Sequence, residues 1–251
     1  GIVGYDLASD LDLVFGTGSG CEGSARILLE RVGPEERWPG RVAEALARRE
    51  TGRFETLLEA PFAHRLCPPD ETFGSDAPVF REELLPPLSL VVFGAGDDAV
   101  PLTALARAAG LIVSVVDRRA AFAVATRFPG ARVACGPEGD FARAFPWDSR
   151  TAIVVMTHSY ERDLEILANV LTSPAFYIGL LGPRRRSNRM LEGLPGADPA
   201  RLHSPAGLDL GSESPAEIAL AILAEIHAVH SGRRAVSLRD RAGTIHGGVT
   251  P

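Results

Sequence analysis

From Leu88 onward, short apolar runs alternate with segments whose apolar residues recur at helical spacing. The apolar runs predict strands at Leu90–Phe93, Leu111–Val116, Ala131–Ala134, Ala152–Met156 and Phe176–Leu181. The other segments predict helices at Val100–Ala109, Arg119–Arg127, Glu161–Leu171 and Arg184–Leu194. A last helix is predicted from Ser214, because Ser-Pro-Ala-Glu supplies an N-cap, a proline at the first helical position and a capping-box acid. This alternation is typical of an α/β protein whose parallel sheet carries helices on both faces.

Before Phe80 the pattern is weaker and mixes the two periodicities. It predicts two strands and two helices, at Leu11–Phe15, Phe54–Ala60, Ser24–Arg31 and Arg41–Arg49. These elements indicate a smaller N-terminal α+β segment. The stretch Cys67–Pro78 is rich in turn formers, and two prolines follow it at 86 and 87. We therefore expect two domains, over residues 1–85 and 86–251.

A Gly-x-Gly-x-x-Ala motif, with Gly94 and Gly96 as its glycines, connects the first C-terminal strand to its helix. The next strand ends on Asp117, about twenty residues further on, as in a dinucleotide-binding βαβ unit. The pattern predicts a Rossmann-like domain in which the glycines let the backbone approach a phosphate. Asp117 suits a ribose diol, whereas Arg118 and Arg119 suit a 2′-phosphate, which leaves NAD and NADP open. Alternatively, Asp117 only caps the next helix.

Composition narrows the class of protein. The net charge of −6 argues against a broad nucleic-acid footprint. Three widely spaced cysteines form neither a disulfide framework nor a Cys-x-x-Cys site, which indicates a reducing cytoplasm. No apolar segment approaches the length of a membrane span. The chain opens on Gly1 without a methionine, so we expect a processed or truncated product.

Further candidate residues follow other predicted strands, and ligands gather at the carboxyl ends of parallel strands. Asp97 completes the glycine turn, and His158 lies in a polar Thr-His-Ser turn that suits proton transfer. No acid stands at a spacing that would orient His158. The alternative to proton transfer is a loop histidine that hydrogen-bonds its own backbone. Three arginines from Arg184 onward follow Gly182 at a helix start, where an anion would bind. We favour Arg184, which is nearest the turn; the alternative for the three arginines is a solvated charged face. A later turn, Ser204–Asp209, is a further candidate.

Cys21 lies between glycines that leave the backbone uncovered, ahead of a predicted helix. A thiolate there would be a soft ligand for molybdenum or an acceptor for a sulfur atom. The alternative is a small residue packed at a turn.

Taken together, these segments resemble the xanthine dehydrogenase accessory-factor family of the XdhC/CoxI type. The resemblance rests on segments in the family's order at 15–23, 94–102, 115–119, 155–164, 177–185, 207–211 and 217–225. Two features depart from the family pattern. Asp97 stands where many members have a histidine, and the family's additional N-terminal portion with another glycine-flanked cysteine has no match here.

The resemblance implies a protein that holds the molybdenum cofactor (molybdopterin) during sulfuration and delivers it to a xanthine dehydrogenase-type molybdoenzyme. An accessory protein is thus expected rather than an enzyme, with a cysteine desulfurase as a candidate partner and a homo-oligomeric state. Cys21 would contact the metal or its sulfur. The residues expected to bind the cofactor are Gly94, Gly96, Asp97, Asp117, Arg118, His158, Gly182 and Arg184.

Two other functions remain open at this stage. An NAD(P)-dependent oxidoreductase would use His158 as its acid–base residue and Asp117 on the ribose. An interaction module would keep the Rossmann-like domain without a ligand.

Overall fold

The structure is a computed structural model that describes residues 1–6, 24–68, 70–71, 77–196 and 198–240. The chain divides into two units, Gly1–Pro86 and Pro87–Pro251. The predicted strand Leu11–Phe15 and the glycine-flanked Cys21 lie outside the described residues. Within those residues, no helix has the length and apolar character needed to cross a bilayer.

The described residues of the first unit form short antiparallel strands and one helix. Its elements are β1 (Ile2–Asp6), β2 (Ser24–Leu28), α1 (Trp38–Ala47), β3 (Gly52–Leu57), β4 (His64–Cys67) and β5 (Val79–Leu84). Strand β1 pairs with β2, and β3 lies between β4 and β5. The predicted helix over Ser24–Arg31 is wrong, because the backbone of Ser24–Leu28 pairs with β1 in an antiparallel ladder. The predicted helix over Arg41–Arg49 and the strand from Phe54 are present as α1 and β3.

The second unit alternates strands and helices. Its elements are β6 (Ser89–Phe93), α2 (Ala99–Ala108), β7 (Ile112–Asp117), β8 (Arg132–Cys135), α3 (Glu138–Ala144), β9 (Thr151–Val155), α4 (Tyr160–Val170), β10 (Tyr177–Leu180), α5 (Arg184–Glu192), β11 (Leu202–His203) and α6 (Pro215–His230). The strands form a parallel sheet in the order β11-β10-β9-β6-β7-β8. This is the strand order of a Rossmann fold, with its switch point between β6 and β9. The predicted Rossmann-like fold is confirmed.

The core lies on both faces of this sheet, because β6 and β9 are completely buried. Successive side chains of β6 point to opposite faces. Leu90 and Val92 belong to a cluster with residues of α2 and α6, whereas Val91 and Phe93 belong to a cluster with residues of α4 and α5. Burial of such side chains contributes about 1.5–3 kcal/mol each. The fully buried central strands account for apolar runs without polar alternation.

Three elements of this unit differ from the prediction, among them the two-residue strand β11, which was not predicted, and one element agrees closely. The helix predicted over Arg119–Arg127 is wrong, because only a single 3₁₀ turn forms, at Ala125–Arg127. Helix α3 has seven residues and was not predicted, since it is too short to show a helical period. Helix α6 begins with the predicted capping box, in which Ser214 and Glu217 bond each other's backbone N–H.

Candidate functional site

The loops after β6 and β9 touch at the switch point of the sheet. Gly94 follows β6 with φ +110°, a conformation that residues with a side chain rarely adopt. A Cβ at this position would lie 2.4 Å from the carbonyl oxygen of Met156, which follows β9. A Cβ at Gly96 would lie 2.6 Å from Oδ1 of Asp98. The two glycines of the motif therefore make room for the protein's own loop and carboxylate.

Asp117 ends β7 and is completely buried. Its Oδ2 accepts from the Ala95 N–H at 2.8 Å and from Arg119 Nη2 at 2.7 Å. Its Oδ1 accepts from the N–H and the Nε of Arg119, both at 2.9 Å. Burial raises the pKa of this carboxyl, but the hydrogen bonds from the Arg119 side chain and from the two backbone N–H groups outweigh it and lower the pKa to about 2. Its acceptor positions are thus taken up within the protein, and a ribose diol would have to displace Arg119.

Arg118 is also engaged within the protein. Its N–H and its Nε donate to the fully buried Glu138, at 3.1 and 2.8 Å. Arg162 donates to the same carboxylate at 2.9 Å. The hydrogen bond to Glu138 is the main reason why the pKa of Arg118 is raised. This network joins the end of β7 to α3 and α4, and sequence reasoning missed it because α3 was not predicted.

Asp97 stands at the rim of the glycine turn. Its side chain is 95% exposed and lies 2.6 Å from Nη2 of Arg127. The same guanidinium donates through Nη1 to the carbonyl oxygen of Ala95 at 2.6 Å. Arg127 therefore ties the glycine turn to the segment after β7.

His158 pairs with an acid that sequence reasoning missed. Its Nε2 lies 2.7 Å from Oδ2 of Asp98, which precedes α2 by one residue. His158 has φ +60°, and its side chain is 63% exposed, against 19% for Asp98. The expectation that no acid orients His158 is wrong, because the switch point brings together two loops that are sixty positions apart in sequence. The one signal in the sequence for Asp98 was its position, as a polar residue beside the glycine motif at the start of a predicted helix.

A buried acid links the loop after β9 to α5. Asp163 is completely buried, accepts from the Thr157 hydroxyl at 2.5 Å and pairs with Arg186 Nη2 at 2.6 Å. Arg186 also donates to the carbonyl oxygen of Leu181 at 3.2 Å. Arg184, the arginine that the sequence favoured, is exposed at the first position of α5. Arg186 is the arginine that turns inward, because its position on α5 faces Asp163.

A cleft of ≈ 590 Å³ opens beside these groups at the carboxyl ends of β9, β10 and β11. Its lining residues are His158, Leu181, Gly182, Pro183, Arg186, Pro205, Ala206 and Ile218. Gly182 has φ +126°, a conformation that favours glycine. The cleft thus unites His158, Gly182 and the predicted turn around Pro205, whereas Asp117 and Arg118 are not among its lining residues.

The far wall of the cleft is fixed by a partly buried polar cluster. Glu225 on α6 accepts from the Tyr177 hydroxyl at 2.6 Å and from the Gly207 N–H at 2.8 Å. His203 Nδ1 lies 3.3 Å from the same carboxylate. Burial, with Glu225 nearby, raises the pKa of Tyr177 well above its ordinary value. These contacts hold the turn with Pro205 between β11 and α6.

Comparison with known proteins places this unit in a family. Residues 90–226 match the model of the XdhC Rossmann domain. A Bacillus subtilis protein, named as a probable xanthine dehydrogenase subunit, is 32% identical over 252 residues, which cover 90% of this chain and 75% of that protein. The chain belongs to the XdhC family.

Two further proteins are similar to this chain. A crystal structure of a xanthine dehydrogenase from Bacillus halodurans superposes on this XdhC-family protein with a TM-score of 0.77 and 28% identity, over 94% of this chain and 76% of that one. An uncharacterized Escherichia coli protein, YqeB, is 30% identical over 142 residues, which cover 55% of this chain and 26% of that protein.

The family match places the candidate site within the XdhC Rossmann domain. The matched segment begins in β6 and ends in α6, so it contains the paired loops, the cleft and Glu225. Among the residues that the structure describes, no group of three or more His, Cys, Asp or Glu side chains could hold a metal ion. Cys21, the predicted metal ligand, falls outside both the match and the described residues.

Proposed function

We propose that this XdhC-family protein is a maturation factor for xanthine dehydrogenase-type molybdoenzymes and binds the molybdenum cofactor in the cleft beside His158. The relatives from Bacillus subtilis and Bacillus halodurans carry the name xanthine dehydrogenase, which supports such a client enzyme. The observation that carries the proposal is the apolar cleft with two polar side chains at the carboxyl edge of the sheet. On this proposal a cysteine desulfurase is the further partner.

The chemistry of the cleft fits a pterin ring. Binding sites for small cofactors are mostly apolar, hold a few polar groups and enclose roughly 300–1,000 Å³. The lining of this cleft follows that pattern, with His158 and Arg186 as its polar side chains and a volume of ≈ 590 Å³. Gly182 would let a flat ring approach the backbone.

The start of α5 fits the phosphate of the same cofactor. A helix N-terminus presents unpaired N–H groups and the positive end of the helix dipole. Arg184 and Arg185 are exposed in the first turn of α5, directly after Gly182 and Pro183 of the cleft. Their guanidinium groups would pair with phosphate oxygens. When bound, the cofactor supplies the molybdenum whose terminal sulfur the client enzyme needs.

The hydrogen bonds that Asp117 already accepts favour the cofactor-binding function over an NAD(P)-dependent oxidoreductase. A dinucleotide-binding acid must offer its carboxylate to the ribose hydroxyls. The four hydrogen bonds that Asp117 accepts within the described residues come from Ala95 and Arg119. The acid at the end of β7 therefore serves the glycine turn, and a dinucleotide would have to break that arrangement to bind.

The test uses the full chain purified from a molybdenum-replete host. Ultraviolet–visible absorbance and elemental analysis should find a pterin chromophore and molybdenum, and the loaded protein should restore a cofactor-poor xanthine dehydrogenase. We propose Cys21 as a soft ligand, so Cys21→Ser should lower the molybdenum content several-fold, because a hydroxyl is a harder and poorer ligand.

Cys67→Ser and Cys135→Ser are the matched controls. Cys67 is buried and donates to the carbonyl oxygens of Arg53 and Glu71, and burial raises the pKa of its thiol. Cys135 is exposed at the end of β8. Equal molybdenum in all three variants would contradict the role of Cys21, and a nicotinamide chromophore in place of a pterin would favour the oxidoreductase.

A further inference from the structure

Asp98 stands where an acid ordinarily caps a helix, but its side chain bonds elsewhere. It is the N-cap residue of α2, yet it makes no side-chain capping bond to that helix. Instead Oδ2 bonds His158, and Oδ1 is buried with no hydrogen-bond partner in the part of the chain that the structure describes. An N-cap aspartate usually accepts from the N–H groups of the first turn. The carboxylate is thus oriented towards His158 rather than towards its own helix.

The backbone of His158 is fixed on both sides in an uncommon conformation. Its φ of +60° is one that bulky residues seldom adopt. Before it, the Thr157 hydroxyl donates to Asp163, and after it the Ser159 N–H donates to that same hydroxyl at 3.2 Å. Strained residues that their surroundings hold in place cluster at functional sites.

The bond to Asp98 decides which ring nitrogen a ligand meets. An ionised carboxylate only accepts hydrogen bonds, so the proton of the neutral ring lies on Nε2. Nδ1 then carries a lone pair, and it has no hydrogen-bond partner among the described residues. Since His158 lines the cleft, this nitrogen is an acceptor available to a ligand there.

The other polar side chain of the cleft wall is held in place by its own contacts. The guanidinium of Arg186 donates to Asp163 and to the carbonyl oxygen of Leu181. The remaining lining residues are glycine, proline or aliphatic. An arginine side chain only donates hydrogen bonds, so among these lining side chains the acceptor for a ring N–H is that of His158.

We propose that His158 selects the ligand ring by accepting a hydrogen bond at Nδ1 from a ring N–H, and that Asp98 is the positioning residue that holds the proton of the neutral ring on Nε2. This inference rests on the proposed function, because the ligand class it names is a pterin, whose pyrimidinone ring carries such an N–H. A ring with an unprotonated nitrogen at that place would bring two lone pairs together and bind more weakly.

Fluorescence titration of the full chain with 6-hydroxymethylpterin and with its 3-methyl derivative tests the selection. The methyl group replaces the ring N–H, so the parent protein should bind the unmethylated pterin about tenfold more tightly. His158→Gly removes the acceptor and suits the positive φ, and it should bring the two affinities to about the same value. His227→Gln changes an exposed histidine of α6 and should keep the preference.

Nitrogen NMR of ¹⁵N-histidine-labelled protein, at about pH 8 where a free imidazole is neutral, tests Asp98 separately. In the parent, the His158 nitrogens should show the shifts of the single Nε2–H tautomer. In Asp98→Ala the His158 nitrogen shifts should be the average of the two tautomers. The preference for the unmethylated pterin should then be smaller than in the parent.

Each contrary result overturns a distinct statement. The same pterin preference in His158→Gly and in the parent overturns the inference and leaves the proposed function standing. A parent protein that binds neither pterin overturns both. Averaged nitrogen shifts in the parent overturn the role of Asp98.

Discussion

Asp117 keeps its charge although it has no exposed surface, because Arg119 and two backbone N–H groups surround its carboxylate. Its pKa is about 2 in the folded protein, against roughly 3.9 for an aspartate in an unfolded chain. A pKa that is lowered by folding stabilises the protein above the unfolded value. Stability is then lost as the pH falls through the folded value.

The pH dependence of unfolding measures this contribution. The free energy of unfolding of the parent should fall by about 2 kcal/mol more than that of Asp117→Asn between roughly pH 5 and pH 2. Denaturant titrations at a series of pH values give both profiles. Asp140→Asn, which alters an exposed acid, should follow the parent. Identical profiles for Asp117→Asn and the parent would show that folding does not lower the pKa of this carboxyl.

At the residue scale, the sequence located the loops of the site better than the partners within them. His158 and Gly182 were recognisable because each follows an apolar strand directly. The pairing of His158 with Asp98 and of Arg186 with Asp163 was not recognisable, since the partners lie sixty and twenty-three positions apart and come close only through the strand order. The spacing of residues within one short segment does not reveal pairs between distant segments.

At the scale of elements, β6 and β9 lie side by side and the loops after them are in van der Waals contact at Gly94. Gly94→Ala should therefore lower the free energy of unfolding by about 3 kcal/mol, since the new Cβ meets a carbonyl oxygen and the backbone is left-handed. Gly110→Ala is the matched control: its φ is +86°, but a Cβ there has no atom within 4 Å.

Denaturant titration measures the free energy of unfolding of both variants, provided that the m-value is the same as in the parent. Gly110→Ala should cost only about 1 kcal/mol, from backbone strain alone. Equal losses in the two variants would show that the close approach of the loops is not what requires Gly94.

Two predicted helices failed for different physical reasons. The segment from Arg119 has helical composition, but its arginine binds Asp117 and lies 4.0 Å over the Phe122 ring, which holds the chain in an irregular turn. The segment from Ser24 pairs with β1, so a ladder far from it in sequence overrides its local preference. The long, strongly patterned elements around the glycine motif were predicted, because burial on both sheet faces leaves a continuous apolar run.

At the scale of the molecule, the described members of both hydrophobic clusters come from the unit Pro87–Pro251. We expect a fragment of residues 87–251 to unfold in one cooperative transition, because its core is complete within the unit. It should also bind 6-hydroxymethylpterin like the full chain, since the cleft lies in the same unit. Circular dichroism with denaturant and fluorescence titration measure the two properties. A fragment that folds but does not bind the pterin would contradict the placement of the ring in this cleft.

The two outer strands of the parallel sheet, β11 and β8, have two and four residues. An outer strand presents unpaired N–H and C=O groups on which another chain can add a strand, and short outer strands offer few of them. The Rossmann unit is thus protected against edge-to-edge aggregation. Self-association of this unit would accordingly proceed through side-chain surfaces, and such an interface should respond to surface substitutions rather than to changes in strand length.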